Sequence, residues 1–147
     1  MADLTVTVTD TITTGGRKAG AERAHTISGI NHVVQGLVTI PDAAFFDFLT
    51  FAAAGRGVYQ IADNTLKYLR ITNTHASNPV FLALSNDAGS PPDVGISIEI
   101  PAGCSWSLFG DSIGGGSSFA TTLNKLYRLG IRATGGDADI EVFYATT

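Results

Sequence analysis

Several things are scarce in this chain. Of 147 residues only one is cysteine, one methionine and five proline, and charged residues make up 15%. The single cysteine, Cys104, excludes an internal disulfide framework and leans toward a reducing compartment. No apolar run approaches the roughly 20 residues a membrane helix requires. The opening Met1-Ala-Asp-Leu also lacks the basic start and apolar segment of a secretory signal. The expectation is therefore a chain made and folded in a cytoplasm, with no membrane partner. The nine Lys and Arg are scattered against 13 Asp and Glu, for a net charge of −4, so no electrostatic footprint for nucleic acid is present. So few charges on a domain of this size also imply that part of its surface is covered, and further copies of the chain are the simplest cover.

What is present points to strands. Thr, Val and Ile recur, glycine is abundant at 17, and the length suits one domain spanning 1–147 with a sizeable core. "LTVTVTDTITT" sets Leu4, Val6 and Val8 against Thr5, Thr7 and Thr9, which is a strand with one apolar and one threonine face. "GGRKAGAER", residues 15–23, breaks that pattern with glycine and clustered charge and predicts a flexible arm or loop. "AHTISGI" and "VVQGLVTI" flank Asn31 as a hairpin or as one bulged strand. "FFDFLTF" after Pro41 reads as a strand buried on both sides, in preference to a helix. "GVYQI", "LKYLRITN" and "PVFLALS" read as a meander, "VGISIEI" and "CSWSLF" as a hairpin around "PAG", and "KLYRLGIRA" and "ADIEVFYA" as strands flanking "TGGD". The count is eight to ten short strands in an all-β sandwich or barrel.

The chemical motifs are thin. "LFGDSIGGG" resembles the first block of the GDSL-type esterases, with Ser112 at the nucleophile's position. A serine nucleophile needs a base within hydrogen-bond reach, and all three histidines, His25, His32 and His75, precede Ser112. That family's closing Asp-x-x-His block is missing, so the esterase is a remote alternative. Gly114 to Gly116 carry no Gly-Lys-Ser/Thr ending for a phosphate. Asp137, Asp139 and Glu141 alternate along a strand, but a calcium ion wants six or more oxygens from converging loops. No histidine pair or cysteine pattern suits zinc, and Cys104 reads as a small packed residue. Trp106, Tyr59, Tyr68, Tyr127 and Tyr144 offer material for a sugar-stacking platform, although aromatics on inward strand positions more often build core. No catalytic, cofactor or metal site is expected.

In order, "TISGIN", "TIPDA", "YLRITNT", "IPAG" and the ending "LGIRATGGDADIEVFYATT" resemble the small β-rich virion proteins encoded in the structural-gene blocks of tailed bacteriophages. The resemblance runs from about His25 to the end. It implies an antiparallel jelly-roll-like sandwich acting without catalysis as a capsid cement or decoration protein, in the virion and assembled in the host cytoplasm. Its implied partners are further copies of itself, a trimer foremost, and other virion proteins such as the major capsid protein. A tail or fibre component, or a carbohydrate-binding receptor module, is the alternative. Two sets of residues suit the interface. Tyr68, Arg70 and Thr72 share one face of "YLRITNT" opposite Leu69 and Ile71, and Tyr and Arg favour desolvated hydrogen-bonding contacts. Arg17, Lys18 and Arg23 make the 15–23 segment basic enough to meet an acidic shell.

Overall fold

The computed structural model describes residues 1–52, 59–62, 65–85, 96–113 and 126–147, with backbone alone at 52 and 110–113. Among these residues every regular element is a strand: β1 (Ala2–Thr14), β2 (Arg17–Ile30), β3 (His32–Ile40), β4 (Phe46–Ala52), β5 (Gln60–Ala62), β6 (Leu66–Asn73), β7 (Val80–Ser85), β8 (Ile96–Ile100), β9 (Ser105–Ile113), β10 (Arg128–Ala133) and β11 (Ala138–Thr146). β1 and β2 form a separate two-stranded ribbon. The rest make two sheets, ordered β5-β4-β10-β7-β8 and β3-β11-β6-β9. Apart from β5, which joins β4 in parallel at one edge, successive strands cross from sheet to sheet, save for the β7–β8 hairpin. That order is a jelly roll, the double-sheet way of limiting open edges.

Period-two alternation fills the space between the sheets. Leu69 and Ile71 of β6 and Ile140 and Val142 of β11 face Leu82 and Val80 of β7 and Leu129 and Ile131 of β10, all buried. Leu49, Phe48 and Phe51 of β4 join them, while Asp47 and Phe46 stay exposed, so β4 is a strand as expected but is not buried on both sides throughout.

Around Asn31 the hairpin reading fails, since β2 and β3 do not pair, and the alternative of one interrupted strand is the nearer: Asn31 alone separates β2 from β3 as the chain passes from the ribbon into the four-stranded sheet, with the Asn31 N–H donating to the Thr146 carbonyl at 2.9 Å. Two other expected pairings fail. β5, β6 and β7 are not a meander, and β8 and β9 are not a hairpin, since in each case the chain changes sheet. A turn signal says that the chain reverses, not whether it returns beside its predecessor or across the core. Buried Asn73, at the end of β6, ties two of these crossings together. Its Nδ2 donates to the carbonyls of Asn78 (2.8 Å) and Ile100 (3.0 Å), its Oδ1 accepts from the His75 N–H, and its backbone exchanges bonds with Gly103 and Cys104. Gly103 has φ +72°, which suits glycine at the arch. Cys104 is exposed there, contrary to the packed position expected of it.

The segment expected as a flexible arm or loop at 15–23 is a turn at Gly15 and Gly16 followed by strand from Arg17. Gly15 and Gly16 (φ +58° and +77°) form a two-residue turn with positive φ at both positions, the hairpin turn whose twist matches its strands. From there Thr14 pairs with Arg17 and the register continues unbroken to Leu4 with Ile27. Glycine and charge signal a break when a strand must bury a face. On a ribbon wetted on both sides the ladder tolerates them, and Gly20 is required, since a Cβ there would collide with the Asp10 carbonyl. The region is thus an arm, but a hairpin arm.

Candidate interaction surface

The outer face of the four-stranded sheet is built in rows set by register. Val33, Ala145, Tyr68 and Phe109 form one row; Gln35, Phe143, Arg70 and Ser107 the next; Leu37, Glu141, Thr72 and Ser105 a third; Thr39 and Asp139 extend the last. The ribbon's foot lies across the first row. Ile27 and Ile30 bury Tyr68 and Ala145, with Leu4, Val6 and Phe143 packed at the margin, and His25 sits 5.7 Å from Phe109 between ring centroids. Tyr68 meets Phe143 edge-on at 5.7 Å and is 6% exposed.

Tyr68, Arg70 and Thr72 therefore do share the outward face of β6, with different fates. Tyr68, expected to meet another molecule, is covered by the chain's own ribbon. The pattern of "YLRITNT" fixes its face and carries no information that residues forty positions earlier fold back on it. Arg70 Nη2 lies 2.7 Å from Glu141 Oε1, and its guanidinium carbon is 5.7 Å from the centre of the Phe143 ring, with Nε buried and lacking an acceptor. Gln35 Nε2 reaches the same Glu141 oxygen at 3.5 Å. Thr72 and Ser105 hydroxyls pair at 2.8 Å. Beyond this polar strip Leu37 stands 76% exposed on β3, an edge strand.

Arg17, Lys18 and Arg23 lie on the far part of the ribbon, and no described contact joins them to the β6 set. Register splits them. Arg17 and Arg23 share a face with Val8, Asp10, Ile12, Ala19 and Ala21, whereas Lys18 points to the threonine face with Glu22, where Thr9 Oγ1 donates to Glu22 Oε2 at 3.4 Å.

The remaining candidates disperse. Ser112 lies on the backbone of β9 where side chains are not described, and Gly114 to Ser118 fall outside the described residues. His25 is on the ribbon, His32 begins β3, and His75 Nδ1 accepts the Ser77 and Asn78 N–H groups in the β6–β7 corner. Asp139 accepts the Thr39 hydroxyl at 2.6 Å and Asp137 the Asp42 N–H at 2.9 Å, while Glu141 serves Arg70. Among the described residues no group of three or more His, Cys, Asp or Glu is gathered to hold a metal ion. Of the described aromatics, Tyr144 and Trp106 pack into the core, and half-exposed Tyr59 lies 5.1 Å from Phe48 between ring centroids. Burial, and secondarily the Tyr59 phenol, pushes the Tyr144 phenol above its usual pKa of 10.0.

Sequence reading missed two cations on the other sheet. Arg128, buried, donates from Nη1 to both carboxylate oxygens of Asp47, at 2.8 and 3.0 Å. Arg132 is held between Phe45 (4.9 Å) and Phe81 (5.2 Å). The signal was available in "RLGIRA", where period two sets Arg128 and Arg132 on the face opposite Leu129 and Ile131.

No family model and no curated protein matches the chain. A solved structure of Bacillus endospore appendages, described as a novel family of disulfide-linked pili, is similar at 13% identity and a TM-score of 0.33, over 82% of this chain and 93% of its own. A likeness that loose carries no argument about fold or function.

Proposed function

We propose that this chain is a non-enzymatic structural protein of a virion, a capsid cement or decoration protein that stabilises a shell as a homo-oligomer, a trimer foremost, in contact with the major capsid protein. The observation that carries this reading is the ribbon. Beyond its foot, from Val8 with Arg23 to the turn, it stands exposed on both faces, and a two-stranded ribbon gains little stability from water alone. An arm of that kind is useful to a protein whose work is contact. The outer face beside it, with Arg70, Thr72 and Leu37, supplies further contact area, and Arg17, Lys18 and Arg23 give the arm the positive charge that an acidic shell would attract.

Mass spectrometry and cryo-electron microscopy of purified particles test the reading. The expected result is density for a jelly roll at many symmetry-related positions on the shell. Absence of the chain from particles, or hydrolysis of model esters that is lost in Ser112→Ala, would overturn it.

A further inference from the structure

The ribbon's two faces differ, and the difference persists past the point where the ribbon leaves the sandwich. Leu4, Val6 and Ile27 press one face onto Tyr68, Phe143 and Ala145. Val8, Asp10, Ile12, Ala19, Ala21, Arg23 and Arg17 continue that same face outward over register pairs that none of the described residues covers, and Val8 and Ile12 are 48% and 65% exposed. The opposite face is a threonine row, Thr7, Thr9, Thr11 and Thr13. A solvated arm has no use for such a division. One built to be covered on a single side does.

The charges on the apolar face suggest what covers it. Asp10 sits opposite Ala21, and Arg23 opposite Val8, so the two are diagonal neighbours bearing opposite charges. Neither makes an ion pair within the chain among the described residues. The face carries two cations, Arg17 and Arg23, one anion, Asp10, and an apolar strip, and turning a copy of it about a symmetry axis lets each Arg23 meet the other copy's Asp10 while Arg17 stays at the turn end. A uniformly acidic partner surface would leave Asp10 facing its own sign, and a uniformly basic one would leave Arg17 and Arg23 so.

We infer that the far half of the β1–β2 ribbon is a self-association element: the Val8, Ile12, Ala19 and Ala21 face packs against the same face of further copies of this chain, with Asp10 and Arg23 pairing between copies. This rests on the structural-protein reading and assigns the arm's apolar face to further copies of the chain in place of the acidic shell.

The test uses the full chain in sedimentation velocity, with near-ultraviolet circular dichroism of Trp106 to confirm that each variant keeps its sandwich. Wild type should assemble at micromolar concentration. Ile12→Glu should weaken assembly by about tenfold or more while leaving the Trp106 signal unchanged. Asp10→Arg and Arg23→Asp should each weaken it, and the double variant should recover most of the loss, since the pair is restored with its signs exchanged. Ile12→Cys in a Cys104→Ser background should form disulfide-linked copies on mild oxidation. A wild-type monomer, or assembly indifferent to Ile12→Glu and to both charge reversals, would overturn the inference. Detection of the chain in purified particles is a separate readout. A monomer found on particles sinks the self-association and leaves the virion role standing, whereas an assembling chain absent from particles does the reverse.

Discussion

The sandwich and the ribbon are written in the same alternating pattern, and they differ in what meets the apolar side. Leu69, Ile71 and Ile140 are fully buried because a second sheet lies across the core from them. Val8 and Ile12 occupy equivalent positions in an equally regular strand, and among the described residues only the foot of their ribbon rests on the sandwich. Alternation specifies a strand and its faces. Whether a layer exists to receive the face is a property of topology, or of another molecule. Stability should accordingly be concentrated in the sandwich and nearly absent from the far ribbon.

The largest effect that sharpens this contrast is truncation of the core. Leu69→Ala should cost about 3 kcal/mol or more in denaturant unfolding, while Ile12→Ala in the monomer should stay within about 0.5 kcal/mol. Comparable losses at the two sites would mean that the ribbon is part of the cooperative unit. Next comes the foot. Tyr68→Ala removes the buried ring under Ile27 and Ile30 and should cost about 2 kcal/mol, less than a core aromatic because its cluster is small. Its distinguishing readout is faster amide exchange in Leu4 to Val8 with β6 and β11 unchanged, and uniform acceleration throughout would argue against a separately docked ribbon.

Arg70→Ala should matter least to the isolated fold, at about 0.5 kcal/mol, since both partners of the Arg70–Glu141 pair keep contact with water. A measured loss above about 2 kcal/mol would show that the pair is not screened by solvent and that the outer face supports the fold on the scale of the Tyr68 cluster. A subtler distinction comes from pH. The folded state holds the Tyr144 proton more tightly than the unfolded chain does, so the associated stability is complete below the unfolded phenol range near 10 and is lost as pH rises above it. Tyr144→Phe should flatten that alkaline decline, and an unchanged decline would place its origin elsewhere.

Strand identity was legible because most of these segments must alternate to bury one face, and Leu69 with Ile71, or Ile140 with Val142, could be assigned inward on that ground alone. Partnership was harder to read. "IPAG" and "TGGD" announce reversals, but the change of sheet at each depends on distant groups: Asn73 holding the Ile100 carbonyl, and Gly136 N–H donating to Asp42 Oδ2 at 3.0 Å. The arm-or-loop reading of 15–23 missed the strand because its strand propensity is weak where no face is buried, and the Gly15-Gly16 turn carried the hairpin signal. Of the residues expected at an interface, Tyr68, Arg70 and Thr72 were all placed on the outward face of β6, whereas the cover over Tyr68 came from a segment whose role no local pattern reveals.

The account stands most directly on the far ribbon being exposed only while the chain is alone. Hydrogen–deuterium exchange of the Val8 to Arg23 amides, followed across a dilution series, measures this. Protection that rises with protein concentration over the same range in which sedimentation shows assembly, while β6, β10 and β11 stay constant, is the predicted result. Ribbon exchange that is independent of concentration while the chain assembles would contradict it.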